Sequence, residues 1–136
     1  GINAGFSLNA VELGKFRTKA GISYNYTDSK SEEGSGQRLY IPRHTSSANA
    51  SISFKSISLS ASLLYVSERN TSNSVLDAYE LVNLSLAKSF EVKRHHLNVS
   101  FQVRNAFDEE YQTFINRAMP GRNFLIQIAY NINFKQ

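Results

Sequence analysis

Apolar and polar residues alternate with a period of two along most of this 136-residue chain. That is the pattern of a strand with one face toward an apolar medium and the other toward water. The run nearest the C-terminus is the clearest: Phe124, Ile126, Ile128, Tyr130, Ile132 and Phe134 share one face, and Gln127, Asn131 and Asn133 share the other with Leu125 and Ala129. Residues 16–27 place Phe16, Thr18, Ala20, Ile22, Tyr24 and Tyr26 opposite Arg17, Lys19, Gly21, Ser23, Asn25 and Thr27. Residues 56–65 alternate Ile57, Leu59, Ala61, Leu63 and Tyr65 with four serines. The rhythm recurs more weakly at 2–12, 46–54, 79–90 and 96–104, so the pattern predicts seven strands. Each runs about 9–14 residues, longer than the 5–6 usual in globular sheets and close to the roughly 9–11 of a tilted strand crossing a bilayer.

The connections carry a second pattern. Links at 13–15, 55 and 91–95 are short, whereas 28–45, 67–78 and 105–121 are long, and the two kinds alternate strictly. Outer-membrane barrels have short periplasmic turns and longer external loops, which assigns the two ends and puts the end of the last strand in the periplasm. The chain opens Gly1-Ile2-Asn3 in mid-strand, and such barrels hold an even number of strands. The expectation is a piece of something larger, with at least one earlier strand. Tyr24, Tyr26, Tyr65, Tyr130 and Phe134 fall at strand ends, where an aromatic belt would meet the headgroup zone.

Composition sharpens this picture. Serine (19) and asparagine (13) take the place of the lysine and glutamate that coat ordinary sheets, which argues against a helical bundle and suits a wet, enclosed lumen. The longest apolar run is Leu63-Leu64-Tyr65-Val66, so a spanning helix of about 20 residues is excluded while spanning strands are not. With no cysteine there is neither a disulfide framework nor a thiolate metal site. His95 and His96 are adjacent and point to opposite faces of a strand, poor geometry for one metal ion, and no G-x-S-x-G accompanies the serines; neither a metal centre nor a hydrolase is expected. The sequons at Asn25, Asn49, Asn70, Asn83 and Asn98 follow from composition, because positions two apart share a strand's polar face. The net charge of +4 has scattered carriers and does not form a nucleic-acid footprint. Arg17, Lys19, Asn25, Asn83 and Arg104 occupy lumen-side positions, and Lys93, Arg94, His95 and His96 form a basic turn able to meet phosphate headgroups.

Several stretches resemble the C-terminal barrel portion of TonB-dependent outer-membrane receptors. Val103-Arg104-Asn105-Ala106-Phe107-Asp108-Glu109-Glu110-Tyr111 is similar to the family's V-x-N-L-F-D-x-x-Y, with Ala106 for the usual Leu. Pro120-Gly121-Arg122 before an alternating strand is similar to its closing strand, although Lys135-Gln136 follow the aromatic Phe134. Ile41-Pro42-Arg43-His44-Thr45 with Asn49 is similar to its P-x-H-x-x-N region entering a strand, Tyr65-Val66-Ser67-Glu68-Arg69 fits a strand end, and Tyr79-Glu80-Leu81-Val82-Asn83-Leu84-Ser85-Leu86 is similar to Y-x-L-V-D-L-S-L with Asn83 for Asp. Order and spacing hold over nearly the whole chain. These residue types have structural reasons: Asn105 and Asp108 can bond nearby backbone, Phe107 and Tyr111 are expected to bury apolar surface at the loop entry, Gly121 to supply a backbone shape closed to other residues, and Pro120 to set up the turn into the strand.

The resemblance implies an all-β fold: residues 1–136 would form about seven up-and-down strands of a 22-stranded transmembrane β-barrel whose plug lies outside this sequence. It implies energised uptake of a scarce nutrient (a siderophore-iron complex, haem, cobalamin or a glycan) across the bacterial outer membrane, with lipid, the rest of the barrel and plug, the TonB complex and the nutrient as partners. It implies no enzyme activity, cofactor or nucleic acid. Arg43, Arg69 and Arg117, in the long loops, are the candidate ligand contacts, because guanidinium groups pair well with carboxylates and phosphates. Two alternatives stand beside it: a small stand-alone barrel that anchors or adheres, which needs an eighth strand, and a soluble barrel holding a small apolar ligand inside.

Overall fold

The computed structural model describes residues 1–28 and 39–132. Its strands are β1 (Ile2–Leu13), β2 (Phe16–Tyr26), β3 (His44–Phe54), β4 (Ile57–Val66), β5 (Arg69–Asn70), β6 (Val75–Leu76), β7 (Tyr79–Val92), β8 (His95–Arg104) and β9 (Asn123–Ile132). Seven of them form one antiparallel sheet in the order β1-β2-β3-β4-β7-β8-β9, each long strand lying beside the long strand that follows it in sequence. Among the described residues there is no helix. The predicted seven-strand, all-β meander is therefore present, as an open sheet that is not closed into a barrel. Phe134, Lys135, Gln136 and most of the predicted 28–45 link lie outside the described residues.

Period-two patterning fixes the register, since a one-residue slip would exchange the faces of a strand. The row Ala50, Ala61, Leu84, Val103 and Phe124 crosses five strands without a break. Beside it run Ile52, Leu59, Leu86, Phe101 and Ile126. The opposite face carries rows such as Gly21, Asn49, Ser62 and Asn83. The alternation is interrupted in β1, where the register shifts between Leu8 and Val11 and one extra residue forms a bulge.

Two-residue turns at Gly14-Lys15, Lys55-Ser56 and Lys93-Arg94 close the hairpins at one end, and the first residue of each has a positive φ (64°, 52° and 56°). That backbone sign matches the twist of the paired strands. At the other end the segment 67–78, predicted as a plain loop, contains the small β5–β6 hairpin.

The sheet has no core of its own. Val66, Leu76 and Tyr79 are the buried apolar residues described, all at the long-loop end, and no described large side chain is fully buried. Ile126 and Ile128 are each 67% exposed and Phe6 69%. The surface totals 10359 Å², against about 7,100 Å² for a compact 15.3 kDa monomer. A sheet bare on both faces contributes to that excess.

Candidate functional site

Two regions collect chemistry-bearing residues: the polar face of the sheet and the cluster formed by its long loops. The polar face is stitched by short side chains across the ladder. Ser23 and Ser47 hydroxyls are 2.8 Å apart, Ser53 and Ser58 2.9 Å apart, and Asn83 donates to Ser62 Oγ at 3.2 Å. Small residues leave a shallow trough of 470 Å³ bordered by Asn49, Ser51, Ser62, Asn83, Gln102 and Arg104. Gly21 makes room for Asn49, because a Cβ there would lie 3.1 Å from the Asn49 amide. Arg17, Lys19 and Asn25 are exposed on the same face, so the predicted lumen-side set does share one surface.

The loop cluster is built around a clasp. At the end of β8 the backbone turns sharply at Asn105, whose φ is 51°. Asn105 is 5% exposed and fully used: its amide N donates to Asn83 Oδ1 (3.0 Å), its Nδ2 to the Glu109 carbonyl (2.9 Å), and its Oδ1 accepts from the Glu109 amide (2.9 Å). Asparagine tolerates the left-handed region and bonds local backbone, which explains its place here. Asp108, also at positive φ (60°), accepts the Arg122 amide at 2.6 Å, while its other oxygen lies 3.9 Å from the Arg122 guanidinium. The clasp thus ties the start of the 105–122 loop to its end.

Two expectations about this motif are corrected. Gly121 does not hold a positive φ; it is glycine because a Cβ would meet Asp108 Oδ1 at 2.7 Å. Phe107 does not bury apolar surface at the loop entry but is 77% exposed, one residue past Ala106, whose amide still donates to the Val82 carbonyl of β7 at 2.8 Å. Tyr111 behaves as expected, half-buried with its ring 4.7 Å from that of Tyr79.

Arg69 joins the loops from beneath. It is 5% exposed, its Nη2 donates to the Gln112 carbonyl at 2.7 Å, and its guanidinium lies 5.1 Å from the Tyr79 ring centre. Tyr40 extends the same packing, with its amide donating to the Asn70 carbonyl at 2.7 Å and its ring 5.4 Å from Phe114. Between these loops opens a cleft of 660 Å³, lined by Asp77, Tyr79, Glu109, Glu110, Tyr111 and Met119 among others. Of the three arginines named as ligand contacts, Arg43 and Arg117 are exposed and Arg69 is occupied in loop packing; none of them borders this cleft. Sequence reading missed the acidic cleft, because its residues come from two loops whose contact is invisible in either alone.

His44 belongs to the strand edge rather than to the cleft: its Nδ1 is 2.7 Å from the Tyr24 hydroxyl and its amide donates to Ser67 Oγ at 3.1 Å. Pro42 is half-buried before it, and Pro120 is exposed ahead of the Gly121-Arg122 corner. At the opposite end His95 Nδ1 is 2.6 Å from the Tyr130 hydroxyl. No family model matches the sequence.

Proposed function

We propose that this chain is wall, lumen lining and loop platform of a TonB-dependent outer-membrane receptor that takes up a scarce nutrient. The observation that carries the reading is the two-faced sheet: a continuous apolar face and a serine- and asparagine-rich face, both bare. Soluble monomers rarely expose contiguous apolar patches beyond a few hundred Å², so the apolar face calls for a covering medium. Lipid fits that role, and water fits the polar face.

Strand geometry supports the same medium. The row from Ala50 to Phe124 meets the seventh residue of β3 and the second of β9. Strand starts therefore drop by about 17 Å over a width of about 19 Å, which corresponds to strands inclined at roughly 40°. At that tilt the 10-residue strands β4, β8 and β9 rise about 26 Å, the height of the apolar band of a membrane barrel. The choice of this family among membrane barrels rests on the motif residues Asn105, Asp108, Tyr111, Gly121 and Arg122, which work here as one clasp. The long-loop end would face outward, with the cleft and the exposed Arg43 and Arg117 as ligand-facing groups; the plug, the TonB complex and the remaining strands are the implied partners.

Single-cysteine labelling of the intact protein in membranes tests the reading; these 136 residues contribute no cysteine of their own. Cysteines at Phe124, Ile126, Ile128 and Tyr130 should resist aqueous maleimide while those at Gln127 and Asn131 react. Equal protection of both sets, or a protein that does not fractionate with membranes, overturns it.

A further inference from the structure

The three short turns share a property that the uptake reading does not use. Each carries a cation: Lys15, Lys55, and Lys93 with Arg94, all exposed. Lys88 joins them on the apolar face near the same end, its ammonium 4.9 Å from the Phe90 ring centre, and Lys55 lies 5.3 Å from that of Phe54. Glu91 at this end lies 3.4 Å from His96. Among the described residues the long-loop end has the opposite balance, with Asp28, Glu68, Asp77, Glu80, Asp108, Glu109 and Glu110 against Arg43, Arg69, Arg104, Arg117 and Arg122. The described charges are thus polarised along the strands, basic at the turns and mildly acidic at the loops.

We infer that the turn end is a docking rim for anionic phospholipid headgroups, which rests on the membrane reading above. The rim is continuous with the apolar face that acyl chains would cover. Lysine stems run along aromatic rings there and carry their charges outward, the arrangement that lets a cation reach a headgroup phosphate from an apolar surface. Each basic side chain near an anionic surface is worth about fivefold in association. The cations carried by the three successive turns therefore select phosphatidylglycerol over phosphatidylcholine at this end and leave the acidic loop end without that preference.

The test uses the full-length protein in vesicles of equal parts phosphatidylglycerol and phosphatidylcholine. A photoreactive label on Ser56→Cys, in the Lys55 turn, reports neighbouring lipids by mass spectrometry, with Ala78→Cys as the loop-end control. The expected result is a phosphatidylglycerol adduct favoured about fivefold or more at Ser56→Cys and not at Ala78→Cys. The variant K15Q/K55Q/K93Q/R94Q, or about 1 M salt on the unsubstituted protein, should return the ratio to one. Equal adducts at Ser56→Cys in the unsubstituted protein would overturn the rim while leaving the membrane reading intact. A protein that stays out of the vesicles and yields no lipid adduct at either site would overturn both.

Discussion

Removing the space at Gly121 should have the same consequence as removing the carboxylate it accommodates. A Cβ at position 121 would sit 2.7 Å from Asp108 Oδ1, the atom that accepts the Arg122 amide at 2.6 Å. In Gly121→Ala the carboxylate must swing away and that bond is lost. A hydrogen bond to a charged acceptor contributes about 1.5–3 kcal/mol, so opening of the Arg122 amide should become about 10- to 150-fold easier. Arg122 precedes the β9 ladder, and the partner shown for its amide is Asp108, so amide hydrogen exchange at this position reads the clasp directly. Asp108→Ala should accelerate exchange to a similar degree and add about 1 kcal/mol of loop destabilisation from alanine at φ 60°. The decisive variant is the double one. Among the described residues beyond its chain neighbours, only Asp108 has heavy atoms within 4 Å of the added Cβ, so once that carboxylate is gone the methyl group is accommodated. Asp108→Ala/Gly121→Ala should therefore exchange like Asp108→Ala alone, a coupling of about 1.5–3 kcal/mol. Asp108→Asn, which keeps an acceptor and tolerates the left-handed region, should remain closer to the unsubstituted protein. Additive effects in the double variant, or Gly121→Ala exchanging like the unsubstituted protein, would refute the reasoning.

Three further outcomes follow from the same geometry. Arg69→Met should release the 105–122 loop from the 67–78 hairpin by removing the 2.7 Å bond to the Gln112 carbonyl, and trypsin should cut after Arg117 at least tenfold faster; an unchanged cutting rate would show that the other ring contacts suffice. Ile126→Arg on the apolar face should cost about 2–4 kcal/mol in folding into lipid vesicles while Gln127→Arg on the polar face costs under about 1 kcal/mol, and equal penalties would argue against lipid on one face and water on the other. Lys55 holds a φ of 52°, so Lys55→Gly should be near neutral and Lys55→Val should cost about 1–2 kcal/mol, measured by urea unfolding of the lipid-embedded protein; a valine as well tolerated as glycine would mean that the turn relaxes.

The strands were legible because a two-faced sheet writes its environment into alternate residues. All seven were recoverable from period two, with β3 beginning at His44 rather than at position 46 and β7 running on to Val92. Where the signal was weak the cause is physical. In β1 the apolar residues occupy even positions through Leu8 and odd ones from Val11, and the bulge between them is what brings Val11 and Leu13 into register with Thr18 and Phe16. A phase change inside one strand was thus present in the letters and was averaged into a weaker rhythm. The two-residue strands β5 and β6 are too short to carry any period. The clasp was visible as residue types and invisible as geometry: Asn105 and Asp108 were identifiable as backbone-bonding residues, but the closeness of Asp108 to Gly121, 13 positions away, depends on how the loop returns. Arg69 shows the opposite failure. An arginine in a polar loop signals a ligand contact by type, and only burial against Tyr79 and Gln112 reveals that it joins two loops.

Closure of the sheet is constrained by its own topology. Successive long strands are antiparallel, so β1 and β9, first and last of seven, run in the same direction. Joining β9 to β1, or to β1 of a second copy, would create a parallel pair, which up-and-down barrels do not contain. A closed, fully antiparallel barrel that includes these strands needs an odd number of others between β9 and β1. The bare edges make the same demand energetically, because exposed ladder groups beside a continuous apolar face invite uncontrolled pairing unless neighbouring strands cover them. On the membrane reading proposed above, those covering neighbours would be further strands of one barrel, with hydrocarbon against the apolar face and water against the polar one.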